Sequence, residues 1–144
     1  MKIRMLVALV ICLGIAANEA KDADKKELEL LQGDWQLVSA MRDGKAMPEA
    51  MVKATKCTVK GDKFTIFRDG KAVEAGTLKP DTSRKPKQID IKLSDSDAIA
   101  LGIYELDKDD FNICYAPPGK DRPTEFAAKE GAGHSLSVWK RHKE

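Results

Sequence analysis

Chemistry-bearing side chains are sparse in this chain, and their spacing excludes more than it supports. The two histidines, His134 and His142, form no His-x-x-x-His pair, and the three cysteines form no Cys-x-x-Cys. Zinc sites need four N or S ligands gathered at short, characteristic spacings, so no metal ligand is assigned. Ser135 follows His134, but no Gly-x-Ser-x-Gly turn lifts a nucleophile towards a base, so no catalytic residue is assigned. The acidic clusters Asp95/Asp97 and Asp107/Asp109/Asp110 lack the glycine and distal glutamate of a calcium loop, and they fit solvated hairpin tips. One loop stands out. Between Pro117 and Phe126, Lys120, Arg122 and Glu125 are set among three prolines and Gly119. A stiff loop presenting an arginine fork suits a carboxylate or phosphate. Its structural counterpart is a rigid crossing in which Arg122 and Glu125 bond each other or backbone. No cofactor is implied.

The elements that must position these residues are short strands. A helix from Lys25 to Gln32, capped by Asp24 with Glu27 in the reciprocal position, is stopped by Gly33. The first strand, Asp34 to Met41, puts Trp35, Leu37 and Ser39 on one face, taken as inward because Trp35 gains most from burial. Pro48 and Glu49 to Val52 predict a helical flap. Further strands are predicted over 56–60, 63–68, 72–79, 88–93, 99–106, 111–116 and 135–141. Asp43-Gly44, Gly61-Asp62 and Asp69-Gly70 are the turn signals, and Gly76 marks a bulge or bend. Eight antiparallel strands with no crossover helix predict an all-β, up-and-down barrel, because closure removes both sheet edges. Strand phase sends Leu37, Phe64, Ile66, Ile91 and Tyr104 into the lumen as candidate ligand contacts, with Arg122 added from its loop.

At 144 residues the chain has material for one ordinary domain. Lys2 and Arg4 precede an apolar run, Met5 to Ala17, of 13 residues that ends in small side chains. A membrane-spanning helix needs roughly 20, so residues 1–17 are expected to be a signal peptide cleaved after 17 or 20, and no stable membrane span is expected in the mature protein. Residues 18–23 follow as a linker and 24–142 as the barrel domain. Periplasmic or extracellular localisation is the consequence. Lys and Arg number 25 against 23 Asp and Glu, interspersed throughout, so a nucleic-acid partner is not expected. Cys57 and Cys114 fall on strands that are not neighbours in a meander, which favours two packed thiols over a disulfide.

Leu31-Gln32-Gly33-Asp34-Trp35-Gln36-Leu37-Val38-Ser39, Gly61-Asp62-Lys63-Phe64-Thr65, Leu101-Gly102-Ile103-Tyr104-Glu105-Leu106 and Ala116 to Phe126 together carry a family likeness. Over residues 28–141 the chain resembles a small, exported, lipocalin-like domain family of planctomycete bacteria. Gly33-x-Trp35 with a basic residue late in the last strand resembles the wider lipocalin pattern. That resemblance implies a barrel end closed by Gly33 and Trp35, with Lys140 or Arg141 covering the indole. It implies no activity and no functional residues. The expected role is non-catalytic binding of a small apolar or amphipathic ligand in the barrel. The alternative is a filled barrel that contacts an envelope protein through its loops, with a small hydrolase or isomerase as a remote third. Two Trp, two Tyr and four Phe in the whole chain are few to fill a lumen.

Overall fold

The computed structural model describes residues 11–142, with side chains from Lys21 onward. The basic residues Lys2 and Arg4 and the start of the apolar run lie outside the described residues. Helix α1 (Ile11–Leu31) leads into β1 (Gly33–Arg42), β2 (Lys45–Ala46), α2 (Glu49–Lys53), β3 (Thr55–Lys60), β4 (Lys63–Arg68) and β5 (Lys71–Asp81). Then come β6 (Lys87–Leu93), β7 (Ile99–Asp107), β8 (Asp110–Tyr115) and β9 (Ser135–Arg141). Consecutive strands from β3 to β9 pair antiparallel, β1 pairs with β3, and β9 returns to β1 from Trp35↔Arg141 to Arg42↔Ser135. The result is the expected closed eight-stranded barrel, with β2 as a short addition to the far end of β1. The expected helical turn is α2, which starts after Pro48 and packs against β1, where Gln36 donates to Val52 O and Lys53 O.

Tight turns shape the meander where the sequence signals them. Asp69 and Gly70 have φ of 53° and 78°, the doubly positive turn that matches the twist of a two-residue hairpin. Inward positions carry the core: Trp35, Leu37, Val59, Phe64, Leu78, Ile89, Ile91, Tyr104, Phe111, Ile113 and Trp139 are all buried.

Three details differ from the sequence reading. First, α1 continues through residues 18–23, expected as linker, and Asp24 is not its cap. The Asp24 carboxylate instead accepts bonds from Thr82 N (2.9 Å) and Thr82 Oγ1 (2.8 Å), and Glu27 is buried beneath the barrel rather than closing a capping box. Second, a bulge between Leu37 and Ser39 reverses the phase of β1, so Ala40 and Arg42 face the lumen instead of Ser39. Third, the irregularity of β5 lies opposite Ile66/Phe67, where Glu74 and Ala72 pair on either side of an extra Val73. Gly76 is not that bulge. It is the point where the β6 backbone and Phe64 come too close for any side chain.

A second, smaller packing layer lies outside the barrel. Ile103 and Cys114, cross-strand partners on β7 and β8, are 1% and 0% exposed although they alternate with lumen-facing residues. The loop 117–133 covers them: Cys114 Sγ donates to Ala127 O at 3.4 Å, and Ala128 is buried there. Arg122 fastens this loop. Its Nη1 donates to Ile89 O (3.1 Å) and Gly102 O (2.7 Å), and its Nη2 to Asp90 Oδ1 (2.7 Å). Glu125 pairs with Lys129, not with Arg122. The arginine fork is therefore committed to the barrel wall.

That arrangement has a testable consequence. Arg122→Met should destabilise the protein by about 1–3 kcal/mol, because it strips charged donors from backbone carbonyls held under the loop. The half-exposed Asp90 ion pair contributes little of this. Urea denaturation measures the loss, and affinity for any lumen ligand should be unchanged.

Candidate functional site: a two-zone cup in the barrel

The closed end is assembled by the last turn of α1. A helix leaves its final carbonyls without intrahelical partners. Here Trp35 Nε1 donates to Leu31 O (2.9 Å), and Arg141 donates to Leu30 O and Gln32 O (2.6 Å each). The Arg141 guanidinium also sits 4.3 Å from the centroid of the Trp35 ring, the stacked cation–π position, and reaches Asp109 at 3.2 Å. Arg141 shares the phase of Ser137 and Trp139, so it, not Lys140, covers the indole. Gly33, at φ +111°, turns the chain from helix to strand, and a Cβ there would press on Arg141 Nη1. Tyr104 and Phe111 continue this floor. The Tyr104 hydroxyl donates to Glu27 (3.1 Å), which also pairs with Lys87 at 2.9 Å. Burial, and then the Glu27 charge, push the Tyr104 phenol well above its ordinary range.

Above this floor the lumen stays open. A cavity of about 770 Å³ runs from Trp35 and Leu31 to the end bearing α2, a volume in the range of small-molecule sites. Its lower zone is apolar: Leu37, Phe64, Ile91, Phe111, Ile113 and Trp139. Its upper zone is polar. Cross-strand register places Arg42 beside Ser135 and Ser135 beside Tyr115, while Thr55 lies beside Arg68 and Glu74 beside Ile66. All of these side chains line the cavity. Burial raises the Tyr115 phenol, and the Glu74 carboxylate raises it further.

No known family model, curated protein or solved structure matches this chain. The cup must be read from its own chemistry. Of the expected ligand contacts, Leu37, Phe64, Ile66 and Ile91 line one continuous wall. Tyr104 belongs to the floor, bonded to Glu27, and Arg122 lies outside the barrel. Trp139 and Arg42 are cavity residues that strand-by-strand reading missed. The Ser135-Ser137-Trp139-Arg141 alternation signals the first, in competition with the more apolar Leu136/Val138 phase. The bulge at Val38 hides the second.

Cys57 and Cys114 are both free thiols. They lie on opposite faces of the barrel wall, Cys57 inside and Cys114 under the outer loop. Burial pushes the Cys57 thiol up to about 12, helped by the charge of Glu74. It is therefore a neutral wall group and a poor nucleophile at physiological pH. A thiol raised on folding favours the folded state while both states are protonated, and that contribution is lost as pH climbs from about 9 towards 12. Cys57→Ala should flatten this alkaline decline in stability. Urea midpoints measured across the window test it, and an identical slope in both proteins contradicts the assignment.

Proposed function

We propose that the protein is an exported, non-catalytic, lipocalin-like carrier that takes one small amphipathic molecule into its barrel. The observation that supports this best is the cavity. A closed barrel of eight strands can fill its interior with side chains, and this one keeps a cup of about 770 Å³ that opens at a polar mouth and narrows onto a closely packed apolar base. A barrel acting only through its surface loops has no use for that space, so the envelope-interaction reading finds less support. Export rests on the leader-like N-terminus and on the resemblance to small exported lipocalin-like domains. The side chains lining the cup offer apolar surface and hydrogen-bonding groups.

Both tryptophans of the chain line the cavity, so their emission reports its occupancy. Titration of the full chain with a single-chain amphiphile below its micelle concentration should give a saturable, one-to-one change, reduced in Trp139→Phe. Ala100→Phe, which pushes a ring from the buried wall into the cup, should weaken binding at least tenfold, about 1.4 kcal/mol, with a urea midpoint taken alongside to separate blocking from overpacking. Unsaturable or absent response contradicts the proposal.

A further inference from the structure

At the polar mouth, Arg68 is a cation that the fold positions without using up. Arg68 ends β4, half-buried, with its side chain lining the upper cavity. Its Nε donates to Thr55 Oγ1 at 3.2 Å. Thr55 is 2% exposed and donates its own hydroxyl to Met51 O of α2 at 2.6 Å, so α2, the threonine and the arginine form one chain of bonds. Among the described residues no carboxylate pairs with Arg68, and neither Nη atom has a hydrogen-bond acceptor. Arg122 and Arg141 spend their Nη groups on backbone carbonyls, whereas Arg68 is held by Nε alone and keeps the donor fork for something else.

We propose that Arg68 is the head-group anchor of the cup, and that the ligand is a single-chain amphiphile with a carboxylate head. A guanidinium fixed at one nitrogen loses little freedom when its remaining donors close on a carboxylate in the bidentate geometry that suits both groups. Arg42, an exposed second guanidinium with no ion pair among the described residues, lies at the same mouth. Glu74 and Asp95 border the same mouth, exposed like Arg42, and offset its charge, so the head-group preference rests on the Arg68 fork. The apolar zone below takes the tail, which orients the ligand head-up towards the mouth.

This assignment rests on the carrier reading, and calorimetry on the full chain separates the two. Dodecanoate below its micelle concentration and dodecanol below its solubility limit share a tail and differ in the head. Dodecanoate should bind roughly tenfold or more tightly than dodecanol, in line with a charge-assisted bond that is about twice as strong as a neutral one. Arg68→Met should remove that preference. Arg68→Lys, which keeps the charge without the fork, and Thr55→Val, which unties Nε, should each reduce it in part. Equal binding of the two probes by the unaltered protein, or a preference that survives Arg68→Met, overturns the head-group assignment and leaves the carrier standing. Should Arg68→Met not fold, an undiminished preference in both Arg68→Lys and Thr55→Val overturns it equally. Binding of neither probe overturns the carrier reading itself.

Discussion

Replacing Trp35 with alanine is expected to cost about 3–5 kcal/mol of folding stability, the range for removing a fully buried large aromatic. Trp35 is 1% exposed and has three separate attachments. Its indole N–H satisfies a carbonyl at the end of α1, its face carries Arg141, and its edge meets Phe111 with ring centroids 5.8 Å apart. Alanine removes the packing and also leaves the Leu31 carbonyl without its donor and Arg141 without its platform. Graded replacements separate these parts. Trp35→Phe keeps most of the apolar surface but not the N–H, and should lose about 1–3 kcal/mol. Arg141→Met keeps the stem over the indole, exposes the carbonyls of Leu30 and Gln32, and should loosen α1 before the barrel itself opens. Denaturant midpoints give the first two losses, and amide exchange in α1 reports the third. Near-normal stability of Trp35→Ala contradicts the helix-closed floor.

The second large effect comes from the smallest residue. Gly76 has an ordinary β conformation, so its requirement is space. A Cβ would fall 2.1 Å from Lys92 O and 2.9 Å from Phe64 Cε1. Neither neighbour has an easy retreat, because Lys92 O belongs to the β6 backbone and Phe64 is buried in the apolar zone of the cup. Gly76→Ala must therefore pry β5 from β6, with the roughly 1–3 kcal/mol cost of overpacking as a floor. Gly61→Ala is the control: nothing lies within 4 Å of its Cβ position, and only its positive φ of 64° opposes the change. Urea denaturation of the pair should show the greater loss at Gly76, with a weakened amphiphile response because Phe64 is displaced. A larger loss at Gly61 contradicts this assignment of close packing.

The barrel was legible because its signals are local. Asp69-Gly70 specifies a hairpin, the Ile89-Ile91-Leu93 alternation specifies a face, and a glycine two residues before Trp35 marks where helix becomes strand. Properties that depend on register were not. Lys140 and Arg141 are one residue apart, and only the pairing of β9 with β1 decides which one faces inward. Val38 is an ordinary strand former, so nothing in its side chain announces the bulge that turns Arg42 towards the lumen, whereas Glu74 keeps the inward phase of Leu78 and Gly76. Tyr104 has the inward phase its strand predicted, yet its depth follows from strand stagger, which places it on the floor beside Glu27 and not among the ligand contacts. Arg122 drew attention as a donor in a stiff loop, and its acceptors are backbone carbonyls from two distant strands that no local pattern could name.

The central claim is that the barrel holds a small molecule. Native mass spectrometry of the protein purified from its own source, followed by denaturation and identification of whatever is released, tests it most directly. The carrier account expects a stoichiometric mass above that of the bare chain, released as a single-chain carboxylate amphiphile and lost from the Ala100→Phe variant. A bare mass in the native peak, together with no thermal shift across a panel of such amphiphiles, contradicts it.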